Sequence, residues 1–156
     1  MLERCKTAQE RWGGVHAIID RWLHQRKMLV ESWSGLYELG EFTPTDTVKI
    51  QAFCELLVDY VSTGHFEVYE QLAMEAKDFH DDTALQCFRN LMPKIEANTE
   101  IVLEFQDKYD TKEHCNALLV DLPLALQTLG LVMDERFGYE DQLIEELHEA
   151  HTEQSA

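Results

Sequence analysis

Residues 56–72, LLVDYVSTGHFEVYEQL, carry the pattern on which the prediction of the fold depends. Apolar residues recur three and four positions apart on both sides of a polar centre, Ser62-Thr63-Gly64-His65, as in an amphipathic helix. Gly is less favourable than Ala inside a helix by about 1 kcal/mol, and Ser and Thr compete for backbone hydrogen bonds. This centre could therefore serve as a metal ligand, a proton-transfer group, a bend that shapes a partner surface, or a tolerated irregularity.

Four long blocks of the chain have apolar residues at helical spacing. They run from about 15 to 36, 48 to 77, 88 to 109 and 118 to 151, with a kink expected at Pro93, and a short helix is predicted at 3–12. The segments GLYELGEFTPTDT, DFHDDT and DTKEHCN separate the blocks, and no block shows the two-residue alternation of a strand. The sequence predicts an all-α fold, an antiparallel up-down-up-down four-helix bundle with a short extra N-terminal helix, in one domain over 1–156.

The composition is strongly acidic, with 30 Asp and Glu against 13 Lys and Arg and a formal net charge of -17. Such a chain repels phosphate backbones, so we expect no direct nucleic-acid binding and favour a basic protein partner. The alternative is that the acidity serves only solubility. There is no apolar run long enough to span a membrane, and the N-terminus MLERCKTAQERW lacks a signal-peptide core, so a cytoplasmic protein without a membrane span is expected.

Charged residues interrupt the apolar stripes of the predicted helices. Arg26 lies between Trp22 and Leu29 on the first stripe, and Arg136 and Glu140 continue the fourth stripe beyond Met133. On the second helix, Asp59, Thr63, Phe66 and Glu70 form a stripe of their own beside the polar centre. Because an unpaired buried charge costs several kcal/mol, we expect Arg26, Asp59, Arg136 and Glu140 to pair in one polar layer. That layer could fix the helix register, shape a binding surface, or form a catalytic site.

A metal centre is the alternative function. Di-iron bundles use two Glu-x-x-His motifs and two further Glu residues, whereas here Glu145 to His148 alone has that spacing. A carboxylate or histidine metal-binding protein or enzyme would draw on His65, Glu70, Glu140 and His148. The four cysteines are scattered without a C-x-x-C pair, and neither G-x-S-x-G nor a Gly-rich phosphate loop occurs. We therefore predict no catalytic residues, no metal and no cofactor.

Several motifs together resemble the Rsd/AlgQ family, the regulators of sigma D. They are DRWLHQRK (20–27), FCELLVDYVSTGHFEVYEQL (53–72), IEANTE (95–100) and DERFGYEDQLIEELHEAH (134–151), and ERWGGVH (10–16) is similar to the pseudomonad AlgQ branch. The resemblance implies a helical bundle that binds the C-terminal promoter-recognition domain of the primary sigma factor. It implies an anti-sigma transcription regulator that sequesters sigma from core RNA polymerase and promoter DNA. In AlgQ-like relatives the consequences include exopolysaccharide regulation.

The same resemblance identifies candidate residues for partner binding or for the polar layer, without dividing them between the two roles. They are Asp20, Arg21, Trp22, Arg26, Asp59, His65, Phe66, Tyr69, Glu70, Arg136, Glu140 and Asp141. The family motifs also match Leu23, Tyr60, Gly64 and Phe137.

Two questions stay open in the sequence. Gly64 could let the helix bend or approach a neighbour closely, while His65 and Asp59 are expected to present polar groups to the layer. The alternative is that Gly64 simply relieves crowding against a Trp and that His65 is a satisfied core histidine. The oligomeric state is uncertain, because Trp12, Trp33 and Tyr37 could serve either a core or an interface.

Overall fold

The computed structural model describes residues 17–149. Within this range the chain is almost entirely helical and has no β-strand, which confirms the predicted all-α class. The helix predicted at 3–12 lies outside the described residues, and the predicted single domain over 1–156 extends beyond them at both ends. None of the helices within 17–149 is long and apolar enough to cross a bilayer.

The described residues contain six α-helices. They are α1 (Ala17–Leu39), α2 (Thr47–Thr63), α3 (Tyr69–Asp78), α4 (Asp82–Tyr109), α5 (Lys112–Ala117) and α6 (Leu122–Leu143). A π-helical turn, Gly64–Val68, joins α2 to α3, and a second π-helical segment, Ile144–Glu149, extends α6. Helical backbone angles at Gly64 and Tyr69 make α2, the π turn and α3 one continuous rod over 47–78, here called the composite rod.

The four long rods form an antiparallel bundle. Trp33, late in α1, contacts Leu126 near the start of α6, whereas the earlier Arg26 contacts Asp141 near its end. α1 packs against α2 and α6, while α4 packs against α6 and both helices of the composite rod. The order round the bundle is therefore α1, composite rod, α4 and α6, as expected for short connections between consecutive helices.

The helix ends follow local capping chemistry. Gly40, with φ +72°, ends α1 in the left-handed conformation that favours glycine. Asp81 caps α4 by accepting a hydrogen bond from the Ala84 amide at 2.9 Å, so this helix begins before the predicted 88 and continues through Pro93. The segment DTKEHCN, predicted to end the third block, contains the short helix α5, because Thr111 accepts a hydrogen bond from the His114 amide.

A contiguous apolar core fills the bundle along its length. It includes the fully buried aromatic rings of Trp22, Phe53 and Phe137. Cys54 and Cys115 are buried, and with Cys87 they are free thiols. The middle of this core is not apolar, and the candidate site lies there.

Candidate functional site

A buried polar layer crosses the middle of the bundle around the Glu140 carboxylate. Glu140 is fully buried and accepts hydrogen bonds from the hydroxyl groups of Tyr60 and Tyr69. Arg26 Nη2 lies 3.5 Å from Glu140 Oε1, and Arg136 Nε lies 3.3 Å from Glu140 Oε2. Each carboxylate oxygen therefore faces one phenol from the composite rod and one guanidinium, which comes from α1 for Arg26 and from α6 itself for Arg136.

Arg26 is held by contacts on every side. Its Nε donates to the Tyr60 hydroxyl at 3.0 Å, and its Nη1 donates to Asp141 Oδ1 at 2.6 Å. Its guanidinium carbon lies 4.6 Å from the ring centroid of Phe137 and 5.5 Å from that of Trp22, within the range of cation–π contacts. The Arg26 side chain is completely buried, whereas that of Asp141 is 16% exposed, so Asp141 is the edge of the layer nearest to water.

Arg136 is anchored to α4 on the other side of Glu140. Its Nη1 donates to Asn98 Oδ1 at 3.2 Å and to Thr99 Oγ1 at 2.9 Å, and its Nη2 donates to the Tyr69 hydroxyl at 3.2 Å. Asn98 in turn donates from Nδ2 to the carbonyl oxygen of Val132 at 2.7 Å. The layer thus ties α4 to α6 as well as to the composite rod.

The layer balances its charges. Two guanidinium groups, Arg26 and Arg136, face two carboxylates, Glu140 and Asp141. Burial is the main cause that raises the pKa of both phenols well above their usual 10, and the nearby Glu140 carboxylate raises it further. Both tyrosines therefore remain protonated donors across the physiological range, and the layer is suited to holding helices in register.

The π turn explains why both tyrosines can reach the same carboxylate. Tyr60 and Tyr69 are nine residues apart, which in a regular α-helix is about two and a half turns and would place them on opposite sides. The turn Gly64–Val68 accommodates an extra residue and rotates the following helix, so that both tyrosines are buried on the inner side of the rod. The unusual sequence at 62–65 therefore marks a change of helical register.

Gly64 allows the close packing that this turn requires. A Cβ atom at Gly64 would lie 3.1 Å from Trp22 Cζ2 and 3.3 Å from the Tyr69 hydroxyl. Trp22 stacks on Tyr60 at 5.2 Å between ring centroids and donates from its indole Nε1 to the Tyr60 carbonyl oxygen at 3.2 Å. The interpretation that Gly64 permits close approach to a Trp is confirmed.

The structure separates the candidate residues into two groups by their exposure. Trp22, Arg26, Tyr69, Arg136 and Glu140 are buried in or against the layer. Asp59, His65, Phe66, Glu70 and Arg21 are exposed, and Asp20 and Asp141 are half-buried.

Two predictions for the layer are wrong. Asp59 and His65 do not present polar groups to it, because both are exposed on the outer surface of the composite rod. Asp59 precedes the buried Tyr60 by one residue, which turns it about 100° round the helix and away from the core. Asp141 supplies the second carboxylate that the prediction gave to Asp59, through its contact with Arg26.

Three of the exposed candidates, Asp59, Phe66 and Glu70, belong with two further exposed residues to a feature here called the acidic stripe. It consists of Glu55, Asp59, Phe66, Glu70 and Met74, which are all exposed on the composite rod: Glu55 and Asp59 are four residues apart before the π turn, and Phe66, Glu70 and Met74 recur every four residues within and after it. Phe66 is 68% exposed and Met74 is 54% exposed, so carboxylates flank two accessible apolar side chains. This combination is typical of a docking surface, where apolar anchors lie within a polar rim.

Two polar partners in the layer, Asn98 and Thr99, were not selected from the sequence. Asn98 lies three residues after Ile95 and four before Val102, so it interrupts the apolar stripe of the third block. The same test that identified Arg26 could have found it.

Within the described part of the chain, the structure does not bring together enough ligands for the alternative metal centre. No group of three or more His, Cys, Asp or Glu side chains that could hold an ion occurs within residues 17–149. Glu145 and Glu146 are exposed, and the His148 side chain and His151 lie outside the described residues.

Comparisons with known proteins identify relatives along almost the whole chain. Residues 1–148 match the family model described as regulator of RNA polymerase sigma(70) subunit, Rsd/AlgQ. The chain is 32% identical over 149 residues to the regulator of sigma D of Yersinia enterocolitica, covering 93% of this chain and 89% of the relative. Similar values hold for the regulator of sigma D of Yersinia pseudotuberculosis, with 32% identity and 93% and 88% coverage. The regulator of sigma D of an Enterobacter strain is 31% identical over 148 residues, with 92% and 88% coverage.

Proposed function

The chain belongs to the Rsd/AlgQ family of regulators of the RNA polymerase sigma(70) subunit, and we propose that it acts by sequestering the primary sigma factor. In this proposal it binds the C-terminal promoter-recognition domain of sigma in the cytoplasm and keeps that domain from core polymerase and from promoter DNA. It is a non-enzymatic regulatory protein.

The acidic stripe is the surface that we assign to sigma. Its five side chains are exposed along the composite rod, and Phe66 and Met74 offer apolar anchors that a partner can cover. No Lys or Arg occurs between Lys49 and Lys77, so the stripe lies in a continuous acidic stretch of the sequence. This surface is the observation that carries the proposal.

The chemistry of the partner fits this surface. A helix-turn-helix domain that binds promoter DNA presents basic side chains to phosphates, and an acidic protein can engage the same side chains. A protein with net charge -17 accelerates encounter with such a partner and repels DNA itself. Occupying the DNA-binding surface of sigma is then sufficient to exclude the promoter.

The buried layer has a positioning role in this proposal. Tyr60 and Tyr69, on either side of the π turn, bind Glu140, and this fixes the rotation of the composite rod. That rotation determines that Phe66 and Glu70 face outward. None of the fully buried layer residues needs to contact sigma, since a buried side chain can act through the surface it supports.

A competition experiment tests sequestration. The full chain is titrated into fluorescently labelled, full-length primary sigma mixed with core RNA polymerase, and the fraction of assembled holoenzyme is measured. We expect the chain to reduce holoenzyme formation, and to do so less effectively as salt rises, since steering is screened beyond about 10 Å at 0.1 M salt.

A double variant, Asp59→Lys with Glu70→Lys, serves as the test of the surface in the same assay. We expect it to lose most of the competition while keeping its far-ultraviolet circular dichroism spectrum. A ternary complex in which sigma binds the chain and core polymerase together would contradict sequestration, and full competition by the double variant would contradict the assigned surface.

A further inference from the structure

We propose that the N-terminal half of α6 is a self-association surface, through which two copies of this chain pair. Residues 122–133, LPLALQTLGLVM, contain no charged residue, although the chain as a whole has a net charge of -17. This inference is independent of sigma binding.

Two leucines form an exposed ridge on this half of α6. Leu124 is 70% exposed and Leu131 is 72% exposed. They are seven residues apart, so they lie on the same side of the helix two turns apart. Leaving two leucine side chains in water forgoes the stabilisation that burial of each would supply, and an apolar pair at this spacing is typical of a helix that meets a partner.

A groove beside the ridge has a rigid aromatic wall. It has a volume of about 370 Å³ and is lined by Trp33, Tyr37, Gln127, Gly130, Leu131 and Asp134. The Trp33 indole donates to the Leu126 carbonyl oxygen at 2.9 Å, and Tyr37 stacks on Trp33 at 4.8 Å between ring centroids. Because these rings are already held in place, a partner that packs against them orders few side chains on binding.

Gly130 leaves the space that this groove requires, because it has no side chain. A Cβ atom at Gly130 would lie 2.5 Å from Trp33 Cζ2, so the indole ring can lie flat on α6 only where no side chain projects. The result is a shallow groove next to the Leu131 end of the ridge.

The ridge and the groove lie side by side, and this arrangement favours a second copy as the occupant. A surface that carries both a projection and a matching depression can pair with itself about a two-fold axis, with the ridge of each copy in the groove of the other. The low charge of this surface favours the same occupant. Residues 122–133 carry no charge and Asp134 is the one acid among the described residues that line the groove, so two copies of a chain with net charge -17 repel each other less here than across acidic surface. Trp33 and Tyr37, which the sequence left between core and interface, would then serve both.

Pairing through α6 would leave the acidic stripe open. α6 packs against α1 and α4, and these two helices lie between it and α2 round the bundle. A pair of chains would therefore present two acidic stripes, one on each copy. Self-association and sigma binding can be measured separately for this reason.

Sedimentation equilibrium of the full chain tests the proposal over a range of protein and salt concentrations. We expect the average mass to rise from that of one chain towards that of two as protein concentration increases. Added salt should strengthen this association, since it screens the repulsion between the two acidic copies. This dependence is opposite to the one expected for sigma binding.

Variants locate the contact. Leu131→Glu and Leu124→Glu should each raise the dissociation constant of the pair by at least about tenfold, since each places a charge in an apolar contact. Leu103→Glu is the matched control, because Leu103 is 48% exposed on α4 and lines neither this groove nor the neighbouring ones on α6. It should leave the association unchanged, and circular dichroism checks that all three variants fold.

Three results would overturn the proposal. One is a sample that has the mass of a single chain at every protein and salt concentration. That result is also expected if another segment of the chain or a different protein covers the ridge. Another is equal weakening by Leu103→Glu and Leu131→Glu. Growth beyond two chains would contradict a closed two-fold pair.

Discussion

The composite rod carries charged and polar side chains on two opposite faces, and the two faces have different properties. On its inner face Tyr60 and Tyr69 are buried against Glu140, with each carboxylate oxygen in contact with a phenol and a guanidinium. On its outer face the acidic stripe has carboxylates in water beside the exposed Phe66. On the inner face the tyrosine hydroxyls have their partner inside the protein, whereas the outer face leaves the apolar side chains of Phe66 and Met74 open to a partner.

The two faces show that the role of a charged residue on this rod depends on its burial, which its position in a motif does not reveal. Asp59 and Tyr60 are neighbours in the sequence, and the resemblance to the family covers both. Burial assigns one to the outer face and the other to the inner face. Substitutions should therefore separate stability from sigma binding, with the largest effects on stability at the buried residues and the smallest on the outer face.

Removing the central carboxylate should have the largest effect. Glu140→Ala leaves two buried guanidinium groups and two buried hydroxyls without their common partner, and breaking a buried pair costs about 3 to 5 kcal/mol. Urea unfolding of Glu140→Ala and wild type measures this difference. A loss below about 1 kcal/mol would show that the layer contributes little to holding the rods.

Alkaline pH should destabilise the protein through the inner face. Burial raises the pKa of Tyr60 and Tyr69 well above 10, so above pH 10 the unfolded chain releases protons that the folded chain keeps. The free energy of unfolding then falls as pH rises, and for two such phenols the loss at pH 11 is about 3 kcal/mol. Denaturant titrations between pH 8 and 11 measure it.

A single substitution identifies the source of this pH dependence. In Tyr60→Phe the loss between pH 8 and 11 should be smaller by about 1.4 kcal/mol, the contribution of one phenol. Tyr109, whose pKa burial raises to about 12, acts in the same direction and remains in both proteins. An unchanged pH dependence in Tyr60→Phe would contradict the assignment to the layer.

Two glycine variants measure the crowding at the π turn. Both Gly64→Ala and Gly35→Ala gain the preference of Ala for a helix, about 1 kcal/mol, but a Cβ at Gly35 meets nothing within 4 Å. A Cβ at Gly64 lies 3.1 Å from Trp22 Cζ2, so overpacking there should make Gly64→Ala the less stable of the two by about 1 kcal/mol or more. Equal thermal stability of the two variants would mean that Trp22 moves aside without cost.

The smallest effect on stability is expected on the outer face. Asp59→Ala should change the free energy of unfolding by less than about 0.5 kcal/mol, because the side chain is exposed. The same variant should weaken sigma binding, which a binding isotherm with full-length sigma measures. A loss of stability comparable to that of Glu140→Ala would place Asp59 in the layer after all.

The sequence was sufficient to predict the fold and part of the layer. Apolar spacing identified the four rods, and Arg26, Arg136 and Glu140 were found because each interrupts an apolar stripe. Their arrangement in one layer follows from the antiparallel order of the rods.

The sharing of one carboxylate by Tyr60 and Tyr69 could not be predicted, because helical spacing changes at the π turn. Counting at 3.6 residues per turn from Tyr60 places Tyr69 on the opposite side of the helix, so the residue pattern does not indicate that the two tyrosines meet at one carboxylate. The extra residue within Gly64–Val68 is recognised from the backbone of the structure and not from the residue pattern. His65 was assigned to the layer because the polar centre was taken to face inward, and Asp59 because its stripe runs beside that centre.

Sigma affinity after charge reversal at two positions tests the division between the two faces most directly. Glu70→Lys lies in the acidic stripe and Glu104→Lys lies on α4 outside it, and both change the net charge equally. At low salt, association of full-length primary sigma with Glu70→Lys should be slower by about tenfold, and with Glu104→Lys by no more than about twofold. Equal rates for the two variants would mean that sigma responds to the total charge of the protein and does not dock on the stripe.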